Sequence, residues 1–264
     1  MATILDTILA EKKVEVDNLY KNQIKVAGGN NQSQHSFLSI LKNAEDLAII
    51  AEFKRASPSK GVINEGIDPA EQASTYIQHG ASAVSVLTDK RFFKGSFSDL
   101  EAVRKAVSAP ILCKDFVVDT IQIDVAKASG ANIVLLIAAA MKEEKLAELY
   151  QYAKSKNLDV LMEVHNEEEV EAALRVGAEI IGVNNRNLKN FEVDLSVTER
   201  LAPIVKKAGA YLISESGIKT IEDVKRVVHA GANGILVGET FMRAENLART
   251  LQDMKLPIQK GAGI

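Results

Sequence analysis

A closed barrel of eight parallel strands, each followed by a helix, is the architecture this sequence predicts, and three observations predict it. From residue 47 onward, short apolar runs alternate eight times with helix-length amphipathic segments. The pairs Gly80-Ala81, Gly130-Ala131, Gly177-Ala178 and Gly231-Ala232 recur where a helix hands over to the next strand. The length, 264 residues, suits an α/β barrel built as one unit. Alternating strands and helices imply a parallel sheet covered by helices. An open doubly wound sheet is the alternative. No dinucleotide glycine fingerprint follows the first strand, and "GETFMRAEN" holds none either.

Each element has its own local signal. Residues 3–26 predict a helix, with Ile4, Leu5, Ile8, Leu9, Val16 and Leu19 at helical spacing among charges. "GGNNQSQHS" breaks it, and "FLSILKN" reads as a second, short helix. Residues 1–46 thus form an N-terminal helical extension, 47–256 the barrel and 257–264 a tail. Strands are predicted at "AIIAEF", "AVSVLT", "PILCKD", "NIVLLI", "VLMEV", "IIGVNN", "YLISES" and "GILVGE". Helical segments include "PAEQASTYIQHG", "TIQIDVAKASG", "EEKLAELYQYAKSKN", "EEEVEAALRVG" and "IEDVKRVVHAG", with "ENLARTLQDM" as the last. Glycine just past a helix relieves the left-handed strain of the C-cap, and such short returns leave little room for inserted domains.

Bulk composition excludes several classes. Lys plus Arg number 32 against 35 Asp plus Glu, a net charge of −3. That argues against non-specific nucleic-acid or membrane binding. A single cysteine, Cys113, excludes an internal disulfide framework and reads as a small buried hydrophobe. The N-terminus lacks a sustained apolar core, and no run approaches the roughly 18 apolar residues that span a bilayer. A cytoplasmic protein is expected, as a monomer or weak homo-oligomer. His35, His79, His165 and His229 do not fall at metal-ligand spacing, so no metal is expected. Of these only His165 borders the mouth of the barrel.

The polar residues at the strand ends carry the functional signal. Side chains two apart on a strand share a face. Glu52 and Lys54 therefore share the inner face of strand one, with Phe53 on the other. Lys114 ends strand three on the face of Leu112, and Glu163 ends strand five on the face of Leu161. Asn184 and Arg186 share the face of Gly182 on strand six, while strand seven supplies Glu215 and Ser216. Partly buried charges cost several kcal/mol each unless paired, so a core needs no such cluster for stability. Convergence of both signs from five strands points to catalysis. "SESG" and "VGET", after strands seven and eight, put Gly217, Gly238 and Glu239 where barrels commonly bind phosphoryl groups. Ser57 and Lys54 complete that cradle. Phe93, Phe116 and Leu135, the last near the end of strand four, offer apolar walls. The long basic loop "TDKRFFKGS" is a candidate lid.

These blocks resemble a known family. "IIAEFKRASPSKG" is similar to the signature of indole-3-glycerol-phosphate synthases. The likeness continues, in order, through "SVLTDKRFFKGS", "PILCKDFVVDTIQI", "GANIVLLIAA", "MEVHNEEE", "IGVNNRNL", "SESGI" and "GILVGETFMR". The resemblance implies a single (β/α)8 barrel. It implies a lyase of tryptophan biosynthesis that closes the pyrrole ring of 1-(2-carboxyphenylamino)-1-deoxyribulose 5-phosphate, releasing carbon dioxide and water without cofactor or metal. It assigns Lys114 as general acid and Glu163 as its acid/base partner. Glu52, Lys54, Asn184, Glu215 and Ser216 line the site. Arg186 holds the substrate carboxylate, and Gly217, Gly238, Ser57 and Lys54 address the phosphate. Two other readings stay open: a Schiff-base aldolase using Lys114, and a non-catalytic sensor of a phosphorylated metabolite.

Overall fold

A computed structural model describes residues 3–21, 36–57, 61–62, 66–188 and 190–258. Eight parallel strands close a barrel: β1 (Ala48–Phe53), β2 (Ala83–Leu87), β3 (Ile111–Lys114), β4 (Ile133–Ile137), β5 (Asp159–Val164), β6 (Ile180–Asn184), β7 (Tyr211–Glu215) and β8 (Gly234–Val237). Each pairs with its neighbours in chain order. Closure comes from β1, whose Ile49 pairs with Ile235 on β8 while its Ala51 pairs with Val84 on β2.

Two helices precede the barrel, α1 (Ile4–Lys21) and α2 (Phe37–Asn43). Eight alternate with the strands: α3 (Pro69–Gln78), α4 (Phe97–Ala106), α5 (Thr120–Ala128), α6 (Glu143–Ser155), α7 (Glu167–Val176), α8 (Ser196–Lys207), α9 (Ile221–Ala230) and α10 (Leu247–Met254). Asp68, Ser96, Asp119, Asn166, Thr220 and Asn246 start six of these with side-chain caps on the first-turn amides. Gly80, Gly130, Gly177 and Gly231 all take positive φ, as the Gly-Ala punctuation predicts. The first helix ends at Lys21 among the described residues. The rest of its predicted span, and most of the breaker after it, lies outside them.

The strand pleat sorts the core into two layers. Ile50, Ala83, Leu112, Leu135, Leu161, Ile180, Ile213 and Leu236 point inward and fill the barrel. Ile49, Val84, Cys113, Val134, Met162, Ile181, Leu212 and Ile235 point outward and pack under the helices. Cys113 is 1% exposed, and burial pushes its thiol up to about 12, so it behaves as the small hydrophobe expected. The lower end of the barrel is plugged by α2, which buries Phe37, Leu38 and Leu41 against the inner residues. Asp159, the first residue of β5, accepts hydrogen bonds from the Leu38 amide and the Ser36 hydroxyl and ties the plug down. The polar strand ends are thereby left to the opposite mouth. No helix among the described residues is long and apolar enough to cross a membrane.

Candidate active site

On β1, β3, β5, β6 and β7 the last inward-facing position carries a polar group, while β2, β4 and β8 end inward in Leu87, Ile137 and Leu236. On β1 the last inward residue is Glu52, buried, and its Oε1 accepts a 2.6 Å hydrogen bond from Lys54. Lys114 ends β3 between two carboxylates: its Nζ lies 2.6 Å from Glu215 Oε2 and 3.4 Å from Glu163 Oε2. Asn184 on β6 donates from Nδ2 to Glu163 Oε1 at 3.0 Å. Residues far apart in the chain, 114, 163, 184 and 215, thus share one network.

Two glycines exist to make room for those carboxylates. A Cβ on Gly182 would come within 2.1 Å of Glu215 Oε1, and one on Gly238 within 2.5 Å of Glu52 Oε1. Gly238 therefore clears a side chain; its φ of −116° asks nothing special of the backbone. Gly217 has both reasons, a φ of +88° and a Val193 methyl 2.5 Å from where its Cβ would be. Beside it Ser216, a non-glycine, is held at φ +63°. Asn185 supplies the restraint. Its buried Nδ2 donates to the carbonyls of Glu215 and Ser216 and to Ser214 Oγ, while its Oδ1 accepts from the amide and hydroxyl of Thr198. Sequence reasoning passed over Asn185. Its signal was the doubled Asn after an apolar strand.

The charges divide the site. Burial disfavours the Lys114 ammonium, but Glu215, Glu163 and Glu52 outweigh it and hold its pKa above the ordinary lysine value. Burial works equally against the Glu163 carboxylate, yet Lys114, His165 and Asn184 bring it down to about 2. Glu215 goes the other way. Its burial, reinforced by Glu163 and Glu52, prevails over Lys114 and raises it to about 7. Two carboxyls pushed apart around one lysine are a natural acid and base assignment.

These groups floor a cavity of about 570 Å3. Glu52, Lys54, Lys114, Glu163, Asn184, Arg186, Glu215, Ser216, Gly217, Gly238 and Glu239 all line it, as do Phe93, Phe116 and Leu135. Phe93 and Phe116 sit with ring centroids 6.0 Å apart. Leu135 is the middle residue of β4, deeper than the expected place near the strand end. The Arg186 amide donates to Asn184 Oδ1, and its Nη1 donates to the Phe191 carbonyl at 3.3 Å. Glu239 stands 3.3 Å from Arg243, a cation at the cavity wall that the sequence pattern does not single out. The side chain of Ser57 falls outside the described residues; its backbone pairs with Gly61 in a two-residue ladder.

The N-terminal extension also reaches the cavity. Ile4, Leu5 and Ile8 of α1 line it, which the helical periodicity did not reveal. Lys12, one turn on, is 1% exposed and lies 2.8 Å from both Asp89 and Asp115. This interlock anchors the loop after β2. Asp89 caps the single-turn helix Lys90–Phe93 and is fully buried beneath Lys12, and Gly95 packs against the Leu87 carbonyl. The candidate lid is anchored at both ends, and its Phe93 forms part of the cavity wall.

Comparison with known proteins is consistent with this geometry. A family model described as "Indole-3-glycerol phosphate synthase" matches residues 5–254. A curated indole-3-glycerol phosphate synthase from Oceanobacillus iheyensis is 51% identical over 256 residues, covering 97% of this chain and 98% of its own. One from Bacillus mycoides is 50% identical over 258 residues, covering 98% and 100%. Among solved structures, 3-hexulose-6-phosphate synthase superimposes with a TM-score of 0.60 at 16% identity, over 79% of this chain and 98% of that one. Thiamine phosphate pyrophosphorylase from Pyrococcus furiosus gives 0.59 at 19%, over 79% and 93%. At those identities the two structures share the fold alone.

Proposed function

The chain belongs to the indole-3-glycerol phosphate synthase family, and we propose that its catalysis is shared between a cationic lysine, Lys114, and the two carboxylates it separates. The enzyme is a carboxy-lyase of tryptophan biosynthesis. It converts 1-(2-carboxyphenylamino)-1-deoxyribulose 5-phosphate to indole-3-glycerol phosphate.

The substrate brings a phosphate, an aryl ring with an ortho carboxylate, and a ketone. We place the phosphate against the Gly217 and Gly238 backbone with Lys54 and Ser57. The aryl ring lies among Phe93, Phe116 and Leu135, under Ile8. Arg186 meets the carboxylate. The ketone then lies over Lys114 on the cavity floor.

Ring closure joins the carboxylate-bearing ring carbon to the ketone carbon, and the carbonyl oxygen takes a proton from Lys114. Carbon dioxide leaves with its bonding pair returned to the ring, restoring aromaticity. Dehydration comes next: the new hydroxyl leaves as water with a proton from an acid, and the adjacent carbon gives its proton to a base. One proton is consumed overall. Glu163, kept ionised, suits the base. Glu215, with a pKa near neutrality and 2.6 Å from Lys114, can return a proton to the lysine or hold one for the leaving hydroxyl. Glu52 orients Lys54, and Asn184 with Ser216 shapes the reacting end.

The observation that carries this assignment is the 2.6 and 3.4 Å placement of Lys114 between Glu215 and Glu163 at the base of the cavity. It also weighs against a Schiff-base lysine, which needs a lowered pKa, whereas this one is raised. Turnover is followed by indole fluorescence on mixing with the substrate. Lys114→Ala is expected to lose at least about 10²-fold in kcat, the lower end of general-acid catalysis, while inorganic phosphate still competes for the site. Near-normal turnover would remove Lys114 from the proton-donor role.

We also assign action in the cytoplasm as a monomer or weak homo-oligomer, without nucleic acid or membrane. Among the described residues the exposed large apolar side chains are only Val14, Tyr20 and Val193, and the net charge of the chain is −3. A tight dimer in sedimentation at micromolar concentration would contradict it.

A further inference from the structure

We propose that His165 is a positioning residue for Glu163: a cationic imidazole lodged between Glu163 and Glu169 that keeps the reacting carboxylate ionised and aligned throughout the cycle. The proposal rests on the reading of Glu163 as the base.

Its origin is local. His165 is the first residue after β5 and lies two positions beyond Glu163, so both face the mouth. Helix α7 begins at once, with Asn166 as its cap. Glu169, in its first turn, folds back, and its Oε2 accepts from the His165 amide at 2.8 Å and meets Nδ1 at 3.0 Å. The ring is thereby turned so that Nε2 stands 3.4 Å from Glu163 Oε1. That separation is an ion-pair contact that falls short of a hydrogen bond. The ring is largely buried, so its charge is only weakly screened.

The groups facing this pair come from several elements. Lys114 on β3 and Asn184 on β6 face Glu163, with Glu215 on β7 beyond Lys114. Glu163 and Glu169 face His165. Burial alone would discharge the imidazole, but the two carboxylates outweigh it and raise its pKa to about 10.

The reason for a second cation is chemical. Lys114 is Glu163's other positive neighbour, and in the proposed reaction it gives its proton to the ketone oxygen. At that moment Glu163 loses the charge that holds it ionised, just before the dehydration that needs a base. His165 is not consumed by any step, so its charge persists. A carboxylate near one cation that comes and goes would protonate prematurely.

The test has three arms. With only four histidines in the chain, the imidazole resonances of the unaltered enzyme can be titrated by NMR. His165 is expected to stay doubly protonated at pH 8, while an ordinary histidine titrates near 6.5. A neutral His165 at pH 7 overturns the proposal whatever any variant does. In His165→Gln, kcat is expected to fall about 3- to 10-fold with KM within about twofold. The acid-side midpoint of kcat/KM should rise by about half a unit or more. Glu169→Gln is expected to shift it in the same direction by less. A His165→Gln protein that folds and keeps the original kcat and acid limb overturns the proposal. The third arm is Glu163→Gln. Full activity there would sink the assignment of Glu163 as base and leave the charge state of His165 standing as measured.

Discussion

Glu215 and Glu163 are the same residue type, equally buried, within reach of the same lysine, and they titrate in opposite directions. The difference lies in who else is present. Glu163 has Asn184 and His165 on its other oxygen, while Glu215 Oε1 has no partner among the described residues. Opposite pH dependences of stability result. A carboxyl raised to about 7 in the folded state contributes stability that is complete below its ordinary 4.5 and is lost as the pH rises through 7. One lowered to about 2 contributes stability above 4.5 that is lost as the pH falls toward 2. Glu215→Gln removes the first effect only. Chemical denaturation of this variant is expected to give a flatter profile than the parent between pH 4.5 and 7. Parallel profiles would mean that Glu215 titrates normally.

At the scale of elements, the lysine at position 12 joins three pieces that each bring a wall to the cavity. It belongs to α1, with Leu5 and Ile8; Asp89 belongs to the loop bearing Phe93; Asp115 lies between Lys114 and Phe116. Removing one partner of a buried ion cluster leaves uncompensated charge and costs about 3–5 kcal/mol. Lys12→Met should lose stability on that scale and should release amide protection in α1 before the barrel strands. Loss of protection spread evenly over all strands would show that α1 is not a separable unit. The strands, the helices and their Gly-Ala returns were legible in the sequence because each rests on local periodicity or a local φ requirement. Lys12 was not, since a lysine on an amphipathic helix reads as solvated. Only the approach of two distant aspartates buries it.

For the molecule as a whole, charge is distributed unevenly in depth. The chain carries a net charge of −3, and the cavity that receives a substrate with a phosphate and a carboxylate is lined by as many cations (Lys54, Lys114, Arg186, Lys219 and Arg243) as carboxylates (Glu52, Asp115, Glu163, Glu215 and Glu239). The substrate's anionic groups are therefore held by local pairing with those cations, and salt weakens such pairs as the Debye length shrinks to about 8 Å at 0.15 M. Raising the ionic strength from about 0.01 M to about 1 M, where that length falls to about 3 Å, is expected to increase KM several-fold with little change in kcat. A KM indifferent to salt would indicate that apolar contact with the aryl ring dominates binding.

The amino-acid sequence determined the eightfold alternation, the inward face of each strand and therefore which polar residues reach the mouth, because a period of two and a glycine cap are properties of neighbouring residues. The tertiary structure alone decided which of those residues touch. Lys114 meets Glu215 across 101 positions of chain, Gly182 is empty so that a carboxylate from the next strand can sit there, and α1 supplies walls to a cavity at the far end of the barrel from its own successor α2. Those pairings depend on barrel closure and stagger, which bring the ends of distant strands to one level, and no local pattern encodes that distance.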